Sequence, residues 1–254
     1  MNRIPKLFEQ KKENILSVFY TAGFPNLNDT LSIAEALEES GADMLEIGFP
    51  FSDPMADGPV IQNSSEVALE NGMNLKLLFE QLKELRKTVS IPVLLMGYFN
   101  PVVQYGVERF CKDAHAVGID GLIIPDLPMQ EYESIYKKTF DEYHISNIFL
   151  VTPQSSEARI RKIDELSNGF IYVLSSSSIT GRTIDQDAGT TAYFQKMKDM
   201  KLKNPFLIGF GIGDKATFNN ACKYAAGAIV GTAFVKHLGT QGINTINKFV
   251  KEIK

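Results

Sequence analysis

The sequence has 254 residues and is poor in the residue types that build several common scaffolds. Its two cysteines, Cys111 and Cys222, are too few for a disulfide framework. No apolar run approaches the roughly 20 residues that span a bilayer, and the first residues lack the apolar stretch of a secretory signal peptide. These absences predict a cytoplasmic chain with no membrane span and no disulfide scaffold.

An excess of positive charge is also missing. The formal net charge is −4, and the basic residues form no stripe along the chain. This distribution argues against nucleic acid or an anionic membrane as the main partner. A small anionic ligand would therefore have to be held by local groups.

Short apolar runs, rich in branched and aromatic residues, recur along the whole chain. Each run is continuously apolar rather than alternating, as is typical of parallel strands that are covered on both faces. The eight predicted strands are 15–20, 43–47, 92–96, 121–124, 145–151, 170–174, 205–208 and 228–230.

Helical patterns fill the stretches between these strands. Apolar residues recur at steps of four and three over 103–117, which predicts one amphipathic helix. Several helices are expected to end at a glycine that takes the left-handed cap conformation and turns the chain into the next strand. These predicted cap glycines are Gly41, Gly118, Gly169 and Gly227.

The repeated unit predicts one α/β domain over 1–254, a single (β/α)8 TIM barrel with an extra N-terminal helix over 4–13. The connections after the second and sixth strands are the longest. In such a barrel both would leave the C-terminal face, where the chemistry of this fold takes place.

The second strand and the loop after it contain the acidic residues of most interest. Glu46 stands inside an apolar strand, where burial should raise its pKa toward the range useful for proton transfer. Asp53 and Asp57 follow among prolines and Gly58, in a stiff segment that can hold a second carboxylate over the barrel mouth. A packing or arginine-paired role for Glu46, and turn formation for the two Asp residues, are the alternatives.

Glycines at the ends of the seventh and eighth strands indicate a phosphate site. The segments 209–214 and 231–233 each open a helix, and their backbone N–H groups can approach an anion there. A dinucleotide site is the alternative, but it would place its last glycine one residue after Gly213 and an acidic residue about 20 positions on. The sequence favours phosphate.

The loop after the sixth strand, 175–182, contains four serines followed by Thr180 and Gly181. Its composition suits a polar lid that closes on a ligand, or simply a solvated loop.

None of the predicted strands contains a lysine, so Schiff-base aldolase chemistry is not expected. Cys111 and His115 offer only two metal ligands on one helix face, and no metal is expected. Carboxylate acid/base chemistry on an aromatic or apolar phosphorylated substrate remains.

With these residues identified, the chain closely resembles the tryptophan synthase alpha chain family over nearly its whole length. The most specific match covers 45–62, from Leu45-Glu46-Ile47-Gly48 to the Asp57-Gly58-Pro59 turn. Supporting motifs lie at 95–101, 125–128, 172–175, 209–212 and 227–233.

The resemblance implies a barrel that cleaves indole-3-glycerol phosphate to indole and glyceraldehyde 3-phosphate by a retro-aldol reaction. It implies no cofactor in this chain, and a beta chain with PLP that receives indole in an α2β2 heterotetramer. The complete absence of tryptophan would suit an enzyme that is needed most when tryptophan is scarce. A stand-alone indole-3-glycerol phosphate lyase and a non-catalytic phosphate-binding barrel are the alternatives.

The resemblance also implies roles for individual residues. Glu46 corresponds to the proton-transferring residue and Asp57 to the carboxylate that faces the indole N–H. The remaining implied substrate contacts are Phe19, Ile61, Tyr172 and Phe210 at the indole, Gly181, Gly211, Gly231 and Thr232 at the phosphate, and Thr180 in the lid. Loop 2 with Pro50 and Asp53, and Asn100 and Pro101, resemble beta-chain contacts. Ser176 and Ser178 depart from the family pattern, which commonly has Arg and Gly there.

Overall fold

Eight parallel strands close into one barrel in the order β1 to β8, with β8 pairing back to β1. The structure is a computed structural model that describes residues 2–175 and 188–254. The strands are β1 Ile15–Thr21, β2 Met44–Gly48, β3 Val93–Met96, β4 Gly121–Ile123, β5 Ser146–Val151, β6 Ile171–Leu174, β7 Phe206–Gly209 and β8 Gly227–Val230. Each bound lies within one residue of the predicted strand, and the predicted (β/α)8 barrel is confirmed.

Helices surround the barrel. They are α1 Ile4–Gln10, α2 Thr30–Glu39, α3 Pro59–Glu70, α4 Leu75–Gln81, α5 Leu85–Thr88, α6 Phe99–Tyr105, α7 Val107–Ala116, α8 Met129–Glu131, α9 Lys137–Glu142, α10 Glu157–Leu166, α11 Ala188–Asp199, α12 Lys215–Cys222, α13 Thr232–Gln241 and α14 Ile246–Ile253. Short 3-10 segments at Leu82–Glu84 and Ile243–Thr245 and a π-turn at Tyr132–Tyr136 join some of them. No helix in the described part of the chain is long and apolar enough to cross a membrane.

Strand register determines which side chains enter the barrel. Neighbouring side chains on a strand point to opposite faces, and Met44 at the start of β2 packs in the interior cluster with Ile15 and Leu94. Glu46, two residues further along, points inward too. Phe19 pairs with Glu46 across β1 and β2, and Glu46 pairs with Leu94 of β3. The carboxyl group is therefore held inside a closed wall of strands.

Two helix predictions were wrong in detail. The predicted helix over 103–117 is broken at Gly106, whose φ of +91° ends α6 before α7 begins. The N-terminal helix ends at Gln10 instead of residue 13, because Lys11 is extended and its N–H closes the last turn on Leu7. Most of the extra length between β2 and β3 is helical, and 49–58 forms the loop at the barrel mouth.

The cap prediction holds at two of the four glycines. Gly41 and Gly118 have φ values of +98° and +83°, the left-handed region that glycine adopts without strain. Gly169 and Gly227 do not have positive φ values. Gly227 is instead required by packing, since a Cβ there would overlap the backbone of Ile15 on the neighbouring strand.

A buried carboxylate closes the N-terminal end of the barrel. Asp120 accepts hydrogen bonds from the guanidinium groups of Arg3, at 3.1 Å, and Arg86, at 2.7 Å, and from the backbone N–H of Val93 at 3.0 Å. Its side chain is 1% exposed. These bonds join the residue before α1 to the chain leading into β4.

We expect Asp120→Asn to destabilise the protein strongly, because it leaves two guanidinium groups facing a neutral partner. Breaking one side of such a buried pair costs about 3–5 kcal/mol, measured as the free energy of unfolding in urea. Glu157→Gln is the matched control, since Glu157 and Arg161 form an exposed pair on α10 worth about 0.5 kcal/mol or less. A loss of under 1 kcal/mol for Asp120→Asn would contradict this assignment.

Candidate active site

A cavity of about 540 Å³ opens at the carboxyl ends of the strands and continues into a second lobe of about 330 Å³. Six residues line both lobes, which makes them one continuous space: Phe19, Asp57, Ile61, Met96, Tyr172 and Phe210. They come from β1, the β2 loop, α3 and the ends of β3, β6 and β7. This is the face on which barrel enzymes carry out their chemistry.

Glu46 lies beneath this cavity and is fully buried. Its Oε1 accepts a hydrogen bond of 2.8 Å from Ser17 Oγ, while Oε2 has no hydrogen-bond partner among the described residues. Desolvation raises the pKa of Glu46 to about 8, against a smaller lowering by the Ser17 bond. The carboxyl group is therefore protonated at neutral pH, and the unpartnered oxygen is where the proton fits.

Glu46 lies deeper in the barrel than the side chains that form the surface of the cavity. The residues that line the cavity include Asp57 but not Glu46. Tyr172 lines both lobes and connects the two carboxyl groups electrostatically, since burial and then the charges of Glu46 and Asp57 raise the pKa of its phenol. Glu46 thus lies below the side chains that line the cavity.

Asp57 occupies the rim of the cavity, in the loop after β2. Its backbone N–H closes a turn on Pro54 at 3.1 Å, while its Oδ2 accepts a hydrogen bond of 3.2 Å from Tyr98. The turn expected from the sequence therefore exists, and it leaves the carboxylate free to face the cavity. Desolvation raises the pKa of Asp57 to about 6, with the Tyr98 bond opposing it. At neutral pH Asp57 is ionised while Glu46 is protonated.

Asp53 does not join this pair. It is exposed on the outer side of the loop, where Ser52 Oγ donates a hydrogen bond of 2.5 Å to its Oδ2, and it does not line the cavity. Of the two loop carboxylates predicted to lie over the mouth, the structure brings only Asp57 there.

Aromatic rings form the walls of the cavity because glycines stand opposite them. A Cβ on Gly48 would lie 2.6 Å from Cζ of Phe19, and a Cβ on Gly209 would overlap the ring of Tyr172. Phe210 meets Tyr172 edge-on with ring centroids 6.5 Å apart. Phe210 has a φ of +70°, an uncommon conformation for a bulky residue that is often found at functional sites. These rings form an apolar slot of the kind that binds a flat aromatic group.

The smaller lobe contains the predicted phosphate contacts Gly211, Gly231 and Thr232. Helix α13 begins at Thr232 behind Gly231, which has no side chain to cap it, so its first N–H groups remain available to an anion. Helix α12 differs, because Asp214 caps it with a hydrogen bond of 2.8 Å from the N–H of Thr217. Of the two helix N-termini predicted to bind phosphate, only that of α13 is open.

The structure does not describe every residue that the sequence predicts for the site. Thr180 and Gly181, together with Ser176 and Ser178, lie outside the described residues. In contrast, the structure adds lining residues that sequence reasoning passed over: Met96, Tyr98, Leu150, Thr152, Arg159, Leu174 and Lys236. Position at the carboxyl end of a barrel strand was the available signal for Met96, Tyr98, Leu150 and Leu174.

Tyr98 is the most informative of these additions. Its hydroxyl accepts a hydrogen bond of 2.9 Å from the N–H of Ala56 while it donates to Asp57, and its ring packs on Phe51 at 5.2 Å. One side chain from the end of β3 thereby fixes both the β2 loop and its carboxylate. The fold and this site together define a (β/α)8-barrel enzyme of the acid/base type.

Comparison with known proteins narrows this class to one family. The sequence profile of the tryptophan synthase alpha chain matches residues 6–254. Tryptophan synthase alpha chains from Flavobacterium psychrophilum and Flavobacterium johnsoniae are 59% and 54% identical to the chain, and both alignments cover 100% of each sequence. The crystal structure of tryptophan synthase subunit alpha from Legionella pneumophila superposes with a TM-score of 0.90 at 33% identity, covering 100% of this chain and 97% of that one.

The chain therefore belongs to the tryptophan synthase alpha chain family. It is a lyase that cleaves indole-3-glycerol phosphate.

The buried Glu46 makes a prediction about stability and pH. The pKa of Glu46 in the folded protein, about 8, lies above its ordinary value of 4.5. The stability that the protonated group contributes to the fold is therefore fully present below pH 4.5 and is lost as the pH rises toward 8. Glu46→Gln cannot ionise. The free energy of unfolding of this variant, relative to that of the wild type, should therefore increase by on the order of 3 kcal/mol between pH 4.5 and 7. The difference should level off above about pH 8.

Denaturant unfolding at a series of pH values measures this difference. Met44→Leu, a neutral substitution in the same barrel interior, is the control and should shift the stability equally at every pH. A difference between Glu46→Gln and the wild type that stays constant from pH 4.5 to 8 would show that Glu46 is not desolvated.

Proposed function

We propose that Glu46 and Asp57 carry out the cleavage of indole-3-glycerol phosphate as a pair with opposite protonation states. The observation that supports this is the pKa of Glu46, raised by burial to about 8, beside that of Asp57 at about 6. Between these values an acid and a carboxylate exist side by side. This is the usual way in which two similar groups acquire different roles in acid/base catalysis.

The reaction needs an electron sink, because the C–C bond that breaks must leave its electrons on the indole ring. Glu46 donates a proton to C3 of the indole, and the positive charge that develops at the ring nitrogen is stabilised by the ionised Asp57. The glycerol hydroxyl next to the bond gives its proton to the Glu46 carboxylate that the first transfer has left, the C–C bond breaks as the C=O bond of the aldehyde forms, and the released electron pair restores the aromatic ring. The products are indole and glyceraldehyde 3-phosphate. No lysine is required, and none occurs in the strands.

The shape of the cavity suits a substrate that is aromatic at one end and anionic at the other. We assign the indole to the slot near Asp57 and the phosphate to the open N-terminus of α13. The proposed substrate contacts are Phe19, Ile61, Tyr172 and Phe210 at the ring, and Gly211, Gly231 and Thr232 at the phosphate, with Thr180 and Gly181 assigned from the family resemblance.

The proposed partner is a beta chain that holds PLP and receives indole in an α2β2 assembly, so this chain itself needs no cofactor. Support comes from apolar side chains that face solvent in the segments following β2 and β3. Met55, in the β2 loop, is 86% exposed, and Val103 on α6 is 47% exposed. They lie in the two segments, around Asp53 and around Pro101, that resemble family contact surfaces. The cytoplasm is the proposed location, and one barrel domain over 1–254 the proposed organisation.

Substitution of the two carboxyl groups tests the assignment. Glu46→Gln keeps the shape of the side chain but carries no proton to donate, so indole release should fall by at least about 10³-fold. Asp57→Asn should reduce turnover by about 10²-fold or more, because the developing charge loses its counter-ion. Asp53→Asn, in the same loop but outside the cavity, is the control and should keep near-wild-type turnover without a beta chain. Normal turnover of Glu46→Gln would refute the proton-transfer role.

Kinetics with and without a beta chain test the proposed partner. Steady-state release of glyceraldehyde 3-phosphate should rise by about tenfold or more when a purified beta chain is added, since the partner orders loops at the cavity rim. Val103→Asp, at an exposed position on α6 that lines neither lobe, should weaken this activation without changing the rate of the isolated chain. A fast rate that a beta chain does not alter would instead identify a stand-alone lyase. Phosphate binding without any turnover would identify a non-catalytic barrel.

A further inference from the structure

Lys236 stands at the end of the cavity that the proposed function assigns to the substrate phosphate. It lines the smaller lobe together with Gly211, Gly213, Gly231 and Thr232. Among the described residues of that lobe it is the one positively charged side chain, and the other candidate donors are neutral backbone N–H groups and the hydroxyls of Tyr172 and Thr232. A phosphate dianion placed there has one nearby full positive charge to meet it.

The geometry of α13 directs this side chain toward the lobe. Lys236 follows Thr232 by four residues, so both lie on the same face of the helix. Side chains on a helix tilt toward its N-terminus, which carries the Lys236 stem toward the uncapped N–H groups at Thr232. The ammonium group and the helix N-terminus can therefore act on the same anion.

The neighbours of Lys236 are engaged in packing, whereas Lys236 is not. Val235 is buried, and His237 shares a hydrogen bond of 2.8 Å with Thr245 and packs on Phe249. These contacts hold α13 against the core and α14. Lys236 is exposed, and no carboxylate in the described part of the chain forms an ion pair with it. Its charge is available to a ligand.

The lobe that Lys236 lines also contains a carboxylate. Asp57 lines this lobe as well as the larger one, and a carboxylate repels a phosphate that enters the wrong way round. A second cation, Arg159, lines only the larger lobe. Of the two cations that line the cavity in the described part of the chain, Lys236 is the one in the lobe assigned to the phosphate.

We propose that Lys236 is a further substrate-binding residue, which supplies the positive charge of the phosphate subsite and thereby orients the substrate with its ring toward Asp57. This proposal rests on the proposed function for the identity of the substrate. The lysine does not contact the breaking bond, so its contribution is to binding and orientation rather than to the proton transfers.

Lys236→Gln tests the proposal, because it keeps most of the stem and removes the charge. We expect KM for indole-3-glycerol phosphate to rise on the order of tenfold with kcat within about twofold of the wild type. The dissociation constant of inorganic phosphate, measured by titration calorimetry, should rise by a similar factor. Binding of indole alone should not change. Lys236→Arg should restore most of the phosphate affinity.

Lys248→Gln is the matched control, since Lys248 is an exposed lysine on α14 whose side chain is 74% exposed. It should leave KM and phosphate affinity unchanged. Unchanged phosphate affinity in Lys236→Gln would overturn the proposal, as would a loss of phosphate affinity in Arg159→Gln but not in Lys236→Gln.

The binding measurements separate this proposal from the proposed function. If the wild type binds phosphate but releases no indole, the proposed catalytic roles fail while a weaker-binding Lys236→Gln still supports the lysine. If the wild type cleaves its substrate and Lys236→Gln matches it in KM and phosphate affinity, only the role of Lys236 fails.

Discussion

The burial of one carboxyl group inside the barrel is the constraint on which the site depends. Glu46 faces inward because the pairing of β2 with β1 and β3 fixes its register, and among the described residues its one hydrogen-bond partner is the hydroxyl of Ser17. Without water, the ionised form is disfavoured and the group stays protonated near neutral pH. The barrel wall thus creates the acid, and the same desolvation weakens the fold as the pH rises. Function and stability oppose each other at this residue.

Space for a ring comes from a second constraint, the pairing of large and small residues on adjacent strands. Phe19 covers Gly48, and Tyr172 covers Gly209, so each ring occupies volume that a neighbouring Cβ would take. Each ring therefore packs directly against the backbone of a glycine. An apolar slot built this way is preformed, which lowers the entropic cost of binding a flat group. Asp57 reaches the rim of the same slot because Tyr98 fixes its loop.

The sequence predicts the barrel well because parallel strands bury both faces and therefore appear as continuous apolar runs. It predicts Glu46 because a charged residue in such a run is conspicuous. Features that depend on a single residue are harder to predict from the sequence. Gly106 splits a continuous amphipathic pattern, and Gly227 is required by the backbone of Ile15, a contact between distant parts of the chain. Asp214 closes one of two similar glycine-rich helix starts, which becomes visible only when its side chain is placed.

Charge along the cavity then follows an order that the net charge of −4 does not reveal. A protonated acid lies at the floor, an ionised carboxylate at the rim, and a helix N-terminus at the far end. The acid and the carboxylate act on the ring, and the uncapped helix attracts the anion, so one elongated substrate satisfies all three in only one orientation. Lys236 adds a positive charge at the phosphate end of the cavity without contacting the reacting atoms. Catalysis here depends on keeping like groups in unlike environments, and the closed barrel provides those environments within a single cavity.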